Sequence, residues 1–322
     1  MVAPAVHVGR DDVKIDARRL FRFFGATRAV DDVSFEVCSG QVFGFIGPNG
    51  AGKTTTMRIL STLDLPDYGD ALVDGYSVIT DPDRVRMRLG FMPDGFGTYP
   101  NMNCIEYLDF FARAYGILGR DRIRTLRHTL HYTGLDKIAE KPIRGLSKGM
   151  RQRLCLGRAM IHNPAVLILD EPANGLDPRA RIELRHMIRG LAAEGKALLV
   201  SSHILTELGE MCDAVGIIER GKLIVSGSVA QIQQELRPHV QVHVHVLERG
   251  EALGQWLESQ PRVTQVAASP TAVDFEIVGE DLQLQHDLLK SMVQAGFPVA
   301  EFASRGRTLE DVFMQITTGA VQ

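Results

Sequence analysis

The chain has 322 residues, 45% of them hydrophobic and 23% charged, with a net charge of −3 and a pI near 6.4. This near-neutral balance gives no global positive field for nucleic acid or anionic lipid, and the length suits one large domain plus a smaller one. Cys38, Cys104, Cys155 and Cys212 are scattered without a CxxC pair, which signals neither a zinc site nor a disulfide framework and fits a reducing compartment.

Residues 1 to about 13 read as a tail, without the apolar core of a signal peptide. Alternation between Lys14 and Val37 predicts strands, and Val42 to Ile46 predicts a buried one. A glycine-rich loop follows, then a helix from Thr54 to Leu63. Asn101 to about Leu135 reads as mostly helical, with Tyr107, Phe110 and Phe111 as core, and Met150 to Ile161 as a further helix. The apolar run Ala165 to Leu169 predicts a parallel-sheet strand, too short to span a bilayer. Any membrane crossing is therefore expected of another chain. Helix Arg179 to Glu194 and strand Ala197 to Ser201 continue the α/β alternation.

The register changes near Arg237-Pro238. Strand 240–247, helix 251–259, strands 263–268 and 272–278, helix 282–295 and strand 299–303 give β-α-β-β-α-β, compatible with a small ferredoxin-like domain. A last helix from Leu309, with Thr308 and Asp311 at capping-box positions and Leu309, Val312, Phe313 and Ile316 on one face, is expected to dock. The expected domains are thus 14–235 and 236–322.

Gly47-Pro48-Asn49-Gly50-Ala51-Gly52-Lys53-Thr54, followed by Thr55, satisfies G-x-x-x-x-G-K-[ST] between a strand and a helix. Its glycines let successive N–H groups face one anion, and the helix start adds positive potential. Lys53 suits the β- and γ-phosphates of ATP, and the Thr54 hydroxyl is a hard ligand for Mg²⁺. Val166-Leu167-Ile168-Leu169-Asp170-Glu171 places two carboxylates at the end of a buried strand. Asp170 suits the metal, and Glu171 the activation of the water that attacks the γ-phosphorus.

With these motifs the chain resembles the nucleotide-binding subunit of an ATP-binding cassette (ABC) transporter of bacterial export type. Leu146-Ser147-Lys148-Gly149-Met150 stands at the family's signature, Asn174-Gly175-Leu176-Asp177-Pro178 at its D-loop, and Ser201-Ser202-His203 at its switch histidine. Phe24 falls where an aromatic ring stacks on adenine. The resemblance covers about residues 14 to 235. It implies a P-loop α/β ATPase with a helical subdomain, and a head-to-tail homodimer or heterodimer. In that dimer Ser147 and Gly149 meet the γ-phosphate of the opposite site, His203 contacts it, and Asp177 aligns the halves. It also implies a separate membrane permease, a cytoplasmic location on the inner membrane face, and no nucleic-acid partner.

Lys148 and Met150 depart from the signature, and Asp94 stands where the family carries its Q-loop glutamine. Asp94 can approach Mg²⁺ but offers no amide donor. The alternative reading is a soluble ABC-type ATPase acting on nucleic acid or ribosomes. A phosphotransferase is a third, opposed by the signature and His203. His239, His243 and His245 share one strand face, which reads as solvated rather than as a metal cage. Arg120, Arg122, Arg124 and Arg127 form one basic stretch, and Arg181, Arg185 and Arg189 a helical row; both read as solvated faces.

Overall fold

A computed structural model describes residues 12–95, 97, 99, 101–203, 208–229, 231–232, 239–278 and 282–305. The expected final helix from Leu309 and the Arg237-Pro238 junction lie outside them. The chain divides into two compact units, Met1–Ser228 and Val229–Gln322.

The first unit holds two sheets. Strands β1 (Val13–Phe24), β2 (Thr27–Cys38), β4 (Tyr68–Val73) and β5 (Tyr76–Ser77) form an antiparallel sheet in the order β2-β1-β4-β5. The second sheet is built on β3 (Val42–Ile46), whose five residues are all buried. With β6 (Leu89–Met92), β7 (Val166–Leu169), β8 (Ala197–Ser202), β9 (Ala214–Glu219) and β10 (Lys222–Ser228) it runs β10-β9-β3-β8-β7-β6. Every neighbour is parallel except β10 on β9. Burial on both faces explains the unbroken apolar runs of β3 and β7. Because β3, β7 and β8 point the same way, the residues after Ile46 and Leu169 and those at the end of β8 emerge at one carboxyl edge, where open α/β sheets bind ligands. Ile46 pairs with Ser202, and Leu169 with Val200.

Helix α1 (Lys53–Leu60) follows β3, and α2 (Pro82–Arg88) precedes β6. The helical region comprises α3 (Cys104–Ala114), α4 (Gly119–Tyr132) and α5 (Lys148–Met160). Its own core includes Tyr107, Leu108, Leu130 and Leu154. Asn103 and Glu106 form a reciprocal capping box that starts α3. Phe110, expected in this core, is instead 46% exposed. It makes an edge contact with Phe111 at the rim, so its helical position turns it outward while Tyr107 is fully buried. Helix α6 (Pro178–Ala193) carries the arginine row, which does more than face solvent. Arg181 donates to the Leu176 carbonyl at 2.9 Å, Arg185 pairs with Glu210, and Arg189 pairs with Asp213 at 2.7 Å. The row fastens α6 to the segments on either side of it.

In the second unit, β11 (His239–Val246), β12 (Val263–Ala268), β13 (Ala272–Val278) and β14 (Val299–Arg305) form a sheet in the order β12-β13-β11-β14, all neighbours antiparallel. Helices α7 (Gly250–Glu258) and α8 (Leu282–Gln294) occupy the two crossovers. This β-α-β-β-α-β connectivity is compatible with a ferredoxin-like fold. Val240, Val242, Val244 and Val246 project into its core with Leu253, Phe275 and Met292. The opposite face of β11 is polar, and there the His243 ring shares a 2.8 Å hydrogen bond with the Asp274 carboxylate.

Candidate active site

The loop after β3 is shaped by close approach. A Cβ at Gly47 would lie 2.3 Å from the Ile218 carbonyl oxygen of β9. Gly52 has φ +106° and room for no side chain, since a Cβ would lie 2.2 Å from the Ala29 carbonyl oxygen. Gly52 is also the N-cap of α1, with no side-chain cap and no acid in the first turn. The first N–H groups of α1 are thus left without a side-chain acceptor, a good fit to a phosphate group.

Lys53 opens α1 and is only 5% exposed. Its ammonium donates to the carbonyls of Gly47 at 2.6 Å and Pro48 at 3.2 Å, and lies 3.7 Å from Glu171 Oε1. Burial lowers its pKa from the ordinary lysine value, while the negative charges of Glu171 and Asp170 oppose that shift. The Thr54 hydroxyl donates to Asp170 Oδ2 at 3.0 Å. This pair of hard oxygens, one on the loop helix and one at the end of β7, suits Mg²⁺.

Asp170 is 3% exposed, and its backbone N–H bonds the Met92 carbonyl of β6 at 2.8 Å. Its Oδ1 accepts from the Ser201 hydroxyl at 2.7 Å. The same Ser201 oxygen accepts the Glu171 backbone N–H at 2.8 Å. Glu171 has φ +47°, a left-handed conformation for a residue with a side chain. Its Oε2 meets His203 Nδ1 at 2.8 Å. A carboxylate at that distance makes Nδ1 the protonated nitrogen. Lys53, Thr54, Asp170, Glu171, Ser201 and His203 therefore form one connected network.

Other expected site residues make their bonds outside it. Ser147 is the N-cap of α5 and accepts the Met150 N–H at 3.2 Å. Asp177 caps α6 through the Ala180 N–H at 2.9 Å. Gly149 sits against α6, where an added Cβ would be 3.2 Å from Ala180 Cβ. The Lys148 side chain lies over Gly175, so that a Cβ on Gly175 would be 2.4 Å from its Nζ. Asp94 Oδ1 accepts from Asn174 Nδ2 at 3.3 Å, linking the end of β6 to the stretch before Asp177. Phe24 ends β1 and is 49% exposed, with the Arg22 guanidinium 4.8 Å from its ring centroid. Arg22 is fixed by Asp64 at 2.9 Å and Asp67 at 3.2 Å. The bridging role of Ser201 was not visible in the motifs, because it depends on a strand neighbour distant in sequence; Arg22 is only two residues from Phe24, but the acids that fix it, Asp64 and Asp67, are distant too.

A strand, phosphate loop and helix beside a strand that ends in two carboxylates define a P-loop ATPase. Residues 30–174 match the family model described as ABC transporter. The chain is 34% identical over 302 residues to the Nod factor export ATP-binding protein I of Ralstonia nicotianae, covering 91% of this chain and 90% of that protein. A solved ATP-binding subunit of an ABC transporter is 29% identical with a TM-score of 0.63, covering 69% of this chain and 92% of its own. A cassette solved as a dimer in a post-hydrolysis state with ADP and phosphate shares the fold at 21% identity and a TM-score of 0.60, covering 67% of this chain and 98% of its own. The chain belongs to the ATP-binding proteins of ABC transporters. It binds ATP and is an ATPase. Among the described residues, no helix is long and apolar enough to cross a membrane.

Proposed function

We propose that this chain powers export through a separate membrane permease, by binding and hydrolysing Mg-ATP in a head-to-tail pair of ATPase subunits at the cytoplasmic membrane face. The observation that carries the reading is the placement of Glu171, one residue beyond the Thr54-bonded Asp170 and between Lys53 and His203. The N–H groups of the loop and of α1 bind the phosphates, and Lys53 leaves its carbonyl contacts for the β- and γ-phosphates. Thr54 and Asp170 would hold magnesium, which supplies charge neutralisation between the phosphates when bound. Glu171 accepts a proton from the attacking water. With its Nδ1 held by Glu171, His203 would link the γ-phosphate to the base through Nε2. Phe24 offers its ring to adenine, with Arg22 beneath it.

Each chain has one phosphate loop and one signature, so a pair of subunits completes two sites. Ser147 and Gly149, at the start of α5, would close on the partner's γ-phosphate, with Asp177 aligning the halves. A permease contact is supported by a groove of about 210 Å³. Leu63, Leu89, Phe91, Phe111 and Tyr115 line it beside Arg86 and Arg158, a partly apolar surface suited to another protein. The export direction is supported by the name of the Ralstonia relative.

Glu171→Gln tests the reading. It should retain ATP binding, lose turnover by about 100-fold or more, and accumulate an ATP-dependent dimer on gel filtration. Unchanged turnover removes Glu171 as the base.

A further inference from the structure

We propose that Ser201 is a positioning residue for hydrolysis, one that sets the direction of the Glu171 carboxylate from the neighbouring strand. The proposal rests on the reading of Glu171 as the base. Ser201 is fully buried. The β7–β8 register ends with Leu169 opposite Val200, so Asp170 and Ser201 are the next residues out on each strand. From there one hydroxyl makes two bonds of opposite sense. Its proton goes to Asp170 Oδ1 at 2.7 Å, and its lone pair receives the Glu171 N–H at 2.8 Å.

The second bond matters because of the backbone it holds. A residue with a side chain rarely adopts the left-handed region, and Glu171 does so at φ +47°. In an extended conformation the strand would run on and its next side chain would be aimed elsewhere. The left-handed turn at Glu171 aims the carboxylate at His203 and Lys53 instead. An alanine at position 201 leaves the Glu171 N–H without that acceptor and releases the constraint on the turn. Phosphate binding draws on other groups, the loop amides and Lys53, so the loss falls on turnover rather than on affinity.

Ser201→Ala, Ser201→Thr, Glu171→Gln and the double variant are compared in the full chain. Ser201→Ala should lower kcat by about 10- to 100-fold, while KM for ATP and the affinity for ADP stay within about threefold. It should also speed deuterium exchange at the Glu171 amide in nucleotide-free protein. Ser201→Thr keeps the oxygen and should restore both. Adding Ser201→Ala to Glu171→Gln should leave the residual turnover unchanged, since the group acted upon is already gone.

Loss of nucleotide binding in Ser201→Ala overturns the assignment, as does equal damage from Ser201→Thr, which would indicate packing. A raised magnesium requirement at normal kcat assigns Ser201 to Asp170 instead. Full turnover in Glu171→Gln sinks the reading of the base itself. Normal turnover in Ser201→Ala beside an inactive Glu171→Gln sinks only the positioning role.

Discussion

Gly50 and Gly52 belong to one loop, both have positive φ, and yet replacing them with alanine should have very different consequences. At Gly50, φ is +80° and no atom lies within 4 Å of the point where a methyl would stand. Gly50→Ala therefore meets only the backbone preference of an L-residue, about 1–2 kcal/mol. At Gly52, φ is +106° and the methyl would lie 2.2 Å from the Ala29 carbonyl oxygen, a main-chain atom of β2 that cannot rotate away. Strain of about 1–3 kcal/mol then adds to a forced backbone shift of about 1–3 kcal/mol, together roughly 4 kcal/mol. In a unit of this size 1 kcal/mol moves Tm by about 2–4 °C. Calorimetry should therefore show a fall of about 8–16 °C for Gly52→Ala and about 2–8 °C for Gly50→Ala. A fluorescent-nucleotide titration should also show Gly52→Ala weakening ATP more, because its shift moves the start of α1. Equal Tm values for the two variants would refute the argument from close approach to β2.

Lys53→Ala should raise the ATP dissociation constant by about 10- to 100-fold, from loss of charge-assisted bonds to phosphate, and normal affinity would remove the phosphate-loop assignment. Asp177→Ala should cost about 1 kcal/mol by uncapping α6, read as a small Tm fall that Asp177→Ser reverses. The half-buried His162 ring stacks on Tyr115 at 3.8 Å and bonds the Leu89 carbonyl. Burial pulls its pKa down from 6.5 to about 4. The unfolded chain then binds the extra proton first, so this stability is complete above about pH 6.5 and lost as pH falls toward 4. Between pH 7 and 5 the loss is about 2 kcal/mol. Urea unfolding at the two pH values should show it in the native protein and a smaller loss in His162→Gln.

Where a single element declares itself, the sequence is a good guide. Val42–Ile46 lies where its apolar run puts it and β11 where the alternation of Val240, Val242, Val244 and Val246 puts it, because burial on two faces or one leaves a direct pattern. The phosphate loop was legible because its glycines, Lys53 and Thr54 are contiguous. The segment from 64 to 92 was not: β4, β5, α2 and β6 have two to seven residues each, too few to establish a period. Strands β9 and β10 escaped as well, and β9 matters because its Ile218 carbonyl excludes a side chain at Gly47. Sheet order was equally hidden. Nothing local to β3 says that its neighbours are β8 and β9, and without that knowledge Ser201 is only a serine near His203. The left-handed turn at Glu171 leaves no trace in residue type, since glutamate is not a residue that favours it.

The cap on α5 has its own consequence. Ser147 secures the helix by receiving the Met150 N–H, which engages an oxygen lone pair and leaves the hydroxyl hydrogen available to an anion. If Ser147 meets a γ-phosphate as proposed, folding and nucleotide recognition would draw on opposite ends of one O–H bond. Aspartate would serve the helix at least as well, yet it has no hydrogen to offer and would confront a triphosphate with like charge. Helix stability alone would accept either residue at this position; under the proposed role, Ser147→Asp should leave Tm nearly unchanged and weaken ATP-dependent pairing of the subunits.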